Sequence, residues 1–195
     1  IKEYTIRFFE KILEKYGTDK ARKTKVEKFD TIKVKQAALT NKKLYIDYEQ
    51  GFCGFSLKDK ELLCECSEFD DIIIFLKDGS YIVTKVDEKK FVGKDIVYAG
   101  LWKKKDRHMI YNLVYLNESD KKSYIKRFSI ESIVRDKIYP VAKNIEKSKI
   151  LYITGNPNSE SEIIKVNLHF KAKAKKKEFE YDFSEVIIKN RLSKG

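Results

Sequence analysis

A hairpin pattern that returns along the chain is the strongest constraint on how this sequence folds. In the stretch DIIIFLKDGSYIVTKV, residues 71–86, an apolar run enters Asp78-Gly79 and a second strand-like run leaves it. Asp-Gly between two such runs is a strong hairpin signal, because both turn positions accept the left-handed backbone that a tight hairpin needs. This stretch therefore predicts two antiparallel strands.

Comparable patterns begin near Leu44, Ile72, Ile110 and Ile150, at intervals of 28, 38 and 40 residues. Each has an apolar strand, a polar turn and a second strand from which basic residues emerge. Intervals near 40 residues are typical of four-stranded blades repeated around an axis. The 12 Tyr and 12 Phe residues also favour strands. We therefore predict an all-β array of propeller-like blades over residues 29–195.

The first 28 residues follow a different pattern. Apolar side chains in residues 4–16 recur every four positions, which predicts an amphipathic helix ending at Gly17. Residues 18–28 are nearly devoid of apolar side chains and predict a basic linker. We expect a piece of a longer protein, with a partial set of blades truncated at the C-terminus. The apolar helix face would then dock on the missing upstream part or on a second copy.

Charge narrows the class of partner. The chain holds 42 Lys and Arg against 30 Asp and Glu, a net charge of +12. Such an excess favours a polyanion, nucleic acid first and an anionic membrane second. The longest uncharged run, MIYNLVYLN, is far shorter than the roughly 20 residues of a membrane-spanning helix. Three cysteines, an odd number, suit a reducing cytoplasm better than a disulfide framework.

Residues 164–175, IKVNLHFKAKAK, alternate apolar and mostly basic side chains and predict one long strand with a positive face. Phosphates would bind that face. The alternative is that the next segment, EFEYDF (178–183), pairs with it and neutralises its lysines with carboxylates. Other basic clusters are WKKKDR (102–107) and KKSYIKR (121–127).

Two chemical alternatives remain open at this stage. Cys53, Cys64 and Cys66 could bind zinc, but Cys-x-Cys is not the usual zinc spacing and both histidines are remote in sequence. Buried or half-buried strand thiols are the favoured interpretation. Trp102 could stack on a base, although a lone Trp is more often part of the core.

Two longer segments carry a resemblance to a known family. Residues 51–96 and residues 124–141, YIKRFSIESIVRDKIYPV, resemble the C-terminal β-pinwheel of the bacterial type IIA topoisomerase A subunit, the gyrase A and topoisomerase IV A family. The segment FFEKILEKYG and the linker after it are similar to the helical exit from that subunit's breakage-reunion core.

The resemblance also suggests roles for particular residues. Family blades often carry a Lys-Arg pair after the hairpin turn, which Lys126-Arg127 matches, and a Gly-Lys or Gly-Arg step, which Gly93-Lys94 matches. Lys85 keeps one basic residue at the pair position. Residues 54–56, GFS, keep none, so the first blade is expected to contact DNA least.

The end of the chain, IKNRLSKG, partly resembles the basic box Gln-Arg-Arg-Gly-Gly-Lys-Gly of gyrase A subunits. Arg191, Lys194 and Gly195 match it, whereas Asn190, Leu192 and Ser193 depart from it. The departure favours a topoisomerase IV-like role. The residues predicted to bind DNA are Lys85, Lys94, Lys103, Lys104, Lys105, Arg107, Lys126, Arg127, Lys171, Lys173, Lys175, Arg191 and Lys194.

The resemblance implies a non-catalytic, DNA-bending domain. The whole family enzyme cleaves duplex DNA through a tyrosine and passes a second duplex with ATP and Mg²⁺. This fragment is expected to lack the catalytic tyrosine and to need no cofactor. The implied partners are double-stranded DNA, the upstream core and the topoisomerase B subunit, in the bacterial cytoplasm at the nucleoid. The alternatives are a protein-interaction β-propeller with a solubilising basic surface and an unrecognised hydrolase, which would need a clustered pocket.

Overall fold

The computed structural model describes residues 2–18, 42–143, 147–171 and 173–195. The predicted linker, apart from its first residue, and the start of the predicted blade array lie outside these ranges. Over the described part of the chain one helix, α1 (Lys2–Tyr16), precedes a series of strands. The strands are β1 Lys42–Asp47, β2 Phe52–Gly54, β3 Glu61–Cys66, β4 Asp71–Leu76, β5 Ser80–Lys85, β6 Lys90–Phe91, β7 Ile96–Trp102, β8 Ile110–Asn117, β9 Lys122–Ser129, β10 Ile138–Pro140, β11 Ser148–Asn156, β12 Ile163–Asn167, β13 Glu178–Asp182 and β14 Ile188–Lys189. The prediction of an all-β, blade-like chain after one helix is confirmed.

The helix α1 has the predicted amphipathic pattern and the predicted end. Gly17 donates its backbone N–H to the carbonyl of Leu13 at 2.7 Å, which closes the last turn. None of its described residues is buried, so its apolar face lies exposed within its own compact unit, residues 1–34. No described helix is long and apolar enough to cross a membrane.

Three four-stranded sheets share one pattern of pairing. The strand orders are β3-β1-β2-β6 in the first sheet, β7-β4-β5-β10 in the second and β11-β8-β9-β14 in the third. In each sheet a hairpin forms the centre, and the outermost strand beside its second strand comes from later in the chain. That late strand, which we call the exchanged strand, follows the next hairpin along the chain. It pairs antiparallel in the first two sheets and parallel in the third. The repeat predicted from the spacing of hairpins is therefore a repeat of strand pairing.

Packing between the sheets explains why β4 is apolar at successive positions. Ile72 and Ile74 pack into a buried cluster with first-sheet residues such as Leu44. Ile73 and Phe75 point to the opposite face, into a cluster with the third sheet. Because both faces of β4 are covered, its side chains need no polar alternation. The hairpin first recognised in the sequence is thus the centre of the fold.

The predicted long strand at 164–175 is wrong. Strand β12 ends at Asn167, and β13 pairs with it in antiparallel register, Lys165 opposite Glu180. Lys165 forms an ion pair with Glu178. The alternative of pairing with the acidic segment is therefore correct for the strand itself, while the lysines after Asn167 lie in the loop between β12 and β13.

Candidate nucleic-acid interface

Lys126 lies on β9, and the structure places it in the interior. Its side chain has no solvent exposure, and its Nζ lies 4.2 Å from the centre of the Phe128 ring. The ammonium donates to the backbone carbonyls of Val141, Arg191 (2.8 Å) and Ser193 (3.2 Å). Burial lowers the pKa of Lys126 to about 7, and the nearby charge of Arg191 adds to the effect. A group so enclosed does not reach a phosphate, contrary to the sequence prediction.

Arg127 is buried as well, with 6% of its surface exposed. Its guanidinium donates to Asn112 Oδ1 at 3.1 Å and to the carbonyls of Ser159 (2.9 Å), Glu160 (3.1 Å) and Phe183 (3.3 Å). The planar fork of donors is therefore used within the chain. Both Lys126 and Arg127 were predicted to bind DNA, whereas the structure buries them and uses them to hold chain segments together.

The Arg127 network continues into a carboxylate. Asn112 donates its Nδ2 to Glu162 Oε1 at 2.9 Å, and Tyr152 donates its hydroxyl to Glu162 Oε2 at 2.7 Å. Thr154 donates to the same carboxylate. These hydrogen bonds lower the pKa of Glu162 although burial opposes them, so the group stays charged near neutral pH. Glu162 directly precedes β12, and the network fixes the base of the β12–β13 hairpin to the third sheet.

One group of exposed lysines is gathered at the β4–β5 turn. Ile150 donates its N–H to the carbonyl of Lys77, and Val141 donates to that of Gly79, both at 2.9 Å. Lys77 in turn donates its N–H to the carbonyl of Asp95 at 2.9 Å. Gly79 has φ of +82°, and a Cβ there would meet Ser148 Oγ at 1.7 Å, so the close approach requires glycine.

These bonds bring together four lysines from separate segments, which we call the turn-end surface: Lys77, Lys94, Lys143 and Lys147. All four are exposed, and none forms an ion pair with a described carboxylate. The nearby Asp78 is engaged by the N–H and hydroxyl of Ser80, at 2.9 and 2.6 Å. The turn-end surface therefore offers four ammonium groups that form no ion pair among the described residues, on backbone held in place by hydrogen bonds. The exposed carboxylates of Asp78 and Asp95 follow Lys77 and Lys94 directly in sequence.

The opposite end of the same sheet carries Lys85 and the run Lys103–Lys105, all exposed. Lys94 and Lys103 lie beyond opposite ends of β7, so the structure separates them by the length of a seven-residue strand, roughly 20 Å. At this end Arg107 pairs with Glu131 at 3.0 Å. Glu131 therefore neutralises Arg107, which lies beside Lys85 and Lys103–Lys105, together called the second basic surface.

Arg135 at this end was not among the predicted residues. It pairs with the buried Asp71 at 2.8 Å, which raises the pKa of the guanidinium through a side-chain hydrogen bond. Trp102 beside it is 6% exposed and donates its indole N–H to the carbonyl of Ile130 at 2.7 Å. Trp102 is thus a core residue, and its ring does not face a base.

The end of the chain is tied to the third sheet and to its neighbour. Arg191 donates to the Tyr81 hydroxyl at 3.1 Å and lies 5.0 Å from the centre of the Tyr139 ring. Lys194 pairs with Asp120 at 3.0 Å. Both side chains, assigned to DNA by resemblance, therefore have partners inside the chain. By contrast, Lys171, Lys173 and Lys175 are exposed in the β12–β13 loop.

The first sheet differs from the others in charge and holds the thiols. Residues 42–69 contain four basic and six acidic side chains, whereas residues 110–195 contain 18 and 11. Cys53 and Cys66 are buried and Cys64 is half-buried, as predicted for strand thiols. Burial raises the pKa of Cys53 and of Cys66 to about 12. Among the described residues no group of three or more metal-binding side chains converges.

Sequence reasoning missed Lys77, Lys143 and Lys147, although a signal for one of them was present. The phrase Val92-Gly93-Lys94 returns as Val141-Ala142-Lys143, each time directly after the exchanged strand. An apolar residue, a small residue and a lysine at equivalent places would have indicated an exposed lysine after each of these two strands. The positions of Lys77 and Lys147 depend on tertiary hydrogen bonds and left no such pattern.

Comparison with known proteins gives one family and one relative. Residues 43–195 match the family described as topoisomerase C-terminal domain, Bacteroidota. The A subunit of DNA topoisomerase 4 from Borreliella burgdorferi is 34% identical over 140 residues, which cover 71% of this chain and 22% of that protein. The chain therefore spans less than a quarter of this relative's length. No solved structure matches the chain.

Proposed function

Because the chain belongs to the family of C-terminal domains of type IIA topoisomerase A subunits, we propose that it binds and bends duplex DNA without cleaving it. In this proposal it positions a DNA segment for an ATP-dependent strand passage performed by other parts of a topoisomerase IV-like enzyme. The protein partners are the upstream core and a B subunit, and the domain itself needs no cofactor.

The turn-end surface is the observation that carries the proposal. Its four ammonium groups are exposed and form no ion pair among the described residues, so a phosphate backbone does not have to break a described ion pair to bind them. They come from three separate segments held by backbone hydrogen bonds, which suits contact with the regular spacing of phosphates rather than with base edges. The second basic surface, Lys85 and Lys103–Lys105, gives DNA a place to continue across the same sheet.

The proposal is tested with the whole chain and duplexes of two lengths across a salt series. The variant K77Q/K94Q/K143Q/K147Q removes the turn-end charges. We expect its affinity to fall about tenfold or more, with a salt slope reduced by about 0.9 for each lost phosphate contact. Binding along an extended surface also predicts that the longer duplex binds the unaltered chain more tightly.

A matched control separates local contact from overall charge. The variant K42Q/K43Q/K58Q/K60Q removes the same number of charges from the acidic first-sheet region. Because Lys42 pairs with Glu68 and Lys60 with the buried Asp47, its urea midpoint is measured alongside its affinity. We expect it to keep most of the affinity and of the salt slope. Equal losses in the two variants would reduce the effect to net charge and contradict the turn-end assignment. Weak, salt-independent binding by the unaltered chain would favour the protein-interaction propeller.

A further inference from the structure

The β12–β13 hairpin presents a basic loop that the turn-end surface does not include. The base of the hairpin is fixed to the third sheet, since Arg127 binds the carbonyl of Phe183, and Phe183 donates its N–H to the carbonyl of Glu162 at 2.9 Å. At the other end, Leu168 donates its N–H to the carbonyl of Lys177 at 2.7 Å and closes the loop. The loop therefore lies at the end of a hairpin whose base is held by hydrogen bonds to the third sheet.

The described loop residues combine an exposed aromatic ring with dense positive charge. Phe170 is 69% exposed, so most of its ring faces solvent. Its ring lies 4.3 Å from that of His169 and 5.6 Å from the ammonium of Lys171. Lys177 donates to the Phe170 carbonyl from the returning side. The exposed basic side chains around it are Lys171, Lys173, Lys175, Lys176 and Lys177.

The combination of an exposed phenylalanine and several lysines favours duplex DNA over an apolar protein pocket as the partner of this loop. An apolar protein pocket would accept Phe170 but would have to desolvate or pair the surrounding ammonium groups. Duplex DNA satisfies both features, because phosphates on its two strands bind lysines while the base stack receives an aromatic ring. Minor-groove proteins use this combination: basic side chains enter the groove and an apolar wedge partly unstacks one base step, which kinks the duplex.

We propose that Phe170 is a wedge that enters a base step from the minor groove, with the loop lysines on the flanking phosphates, and that this insertion kinks DNA bound to the domain. This inference rests on the proposed DNA binding and adds the residue that produces the bend. Pyrimidine–purine steps unstack most easily, so a TA step within an A·T-rich tract is the preferred place.

The test compares the unaltered chain with F170A on a duplex carrying one central TA step. Two readouts are used: end-to-end fluorescence transfer for bending, and permanganate reactivity of the thymines for unstacking. For F170A we expect the bending signal to fall by at least half, loss of the thymine reactivity, and an affinity reduced about fivefold. The salt slope should not change, because phenylalanine makes no phosphate contact.

The matched control is F91A, which removes a phenylalanine that is 54% exposed on β6; its bending and reactivity should equal those of the unaltered chain. F170W should retain both signals. Bending by F170A equal to that of the unaltered chain overturns the wedge while the proposed function stands. The proposal is also overturned if F170A loses affinity only for single-stranded oligonucleotides, or only for vesicles of anionic phospholipid, and keeps its affinity for duplex DNA. Failure of the unaltered chain to bind any duplex contradicts the proposed function itself.

Discussion

The buried Lys126-Arg127 pair and the exposed lysines of the turn-end surface are basic side chains in opposite surroundings. Lys126 and Arg127 donate their hydrogen bonds to backbone carbonyls and to the side-chain amide oxygen of Asn112. The turn-end lysines have no described carboxylate partner and face solvent. Basic residues of this fold therefore lie either in the interior, as Lys126 and Arg127 on β9 do, or exposed in the turns and loops between strands, as the turn-end lysines do.

The short exchanged strands give the hydrogen bonds of Lys126 a structural role. Each sheet is completed by a short strand from later in the chain, and a strand of two or three residues contributes few ladder hydrogen bonds. Lys126 binds the segments after β10 and after β14, through the carbonyls of Val141 and Arg191. Lys126 thus adds hydrogen bonds to the segments that directly follow two of the three exchanged strands.

The largest effect is expected for Arg127→Met, on stability. The substitution leaves the carbonyls of Ser159 and Phe183 and the amide oxygen of Asn112 without their donor inside the fold. We expect the free energy of unfolding to fall by about 3 kcal/mol or more. Urea denaturation followed by circular dichroism measures the change.

Lys143→Met is the control for that measurement, because its side chain is exposed, and it should alter stability by less than about 0.5 kcal/mol. The distinction between buried and exposed basic residues would be contradicted if Arg127→Met weakened DNA binding and left the urea midpoint unchanged. Arg127 would then belong to the contact surface, in spite of its burial.

The sequence alone was sufficient for the class of fold. The Asp78-Gly79 turn and the apolar run of β4 depend on local chemistry, and the structure has both where they were predicted. The fate of Lys126 could not be predicted in this way. Its alternating strand position is compatible with either face, and burial depends on carbonyls 15, 65 and 67 residues away. The strand predicted at 164–175 failed for a related reason, since alternation does not show where pairing stops.

A smaller effect is expected in the pH dependence of stability. The pKa of Lys126 is lowered to about 7 by burial, from an ordinary value of 10.5 in the unfolded chain. Between these values the unfolded chain holds a proton that the folded chain lacks, so stability rises with pH. From pH 7 to 8.5 this one group contributes about 1 kcal/mol per pH unit.

Lys126→Met should remove that slope, and urea denaturation at several pH values compares the two chains. The upper limit avoids the thiols of Cys53 and Cys66, whose pKa values of about 12 when folded make stability fall at higher pH. Parallel pH curves for the two chains would show that Lys126 keeps an ordinary pKa and is less enclosed than its contacts indicate.

The smallest effect is expected on duplex affinity, for Lys194. This residue is intermediate between the buried Lys126-Arg127 pair and the exposed turn-end lysines. Its side chain is 48% exposed, yet it pairs with Asp120, and its ammonium lies 4.5 Å from the centre of the Tyr124 ring. The Tyr124 hydroxyl and Lys194 both donate to Asp120 and hold the pKa of that carboxyl below its ordinary value. DNA has to compete with a carboxylate that stays charged, so Lys194→Gln should change duplex affinity by less than about twofold.

Asp120→Asn sharpens this last case, because it removes the competitor and leaves the lysine. If internal pairing is what keeps Lys194 from DNA, the variant should bind duplex about twofold more tightly, with a salt slope increased by up to about 0.9. The double variant D120N/K194Q should return to the affinity of Lys194→Gln. A gain that survives in the double variant would come from the lost negative charge alone, and the number of phosphate contacts would then be set by exposure rather than by partners inside the chain.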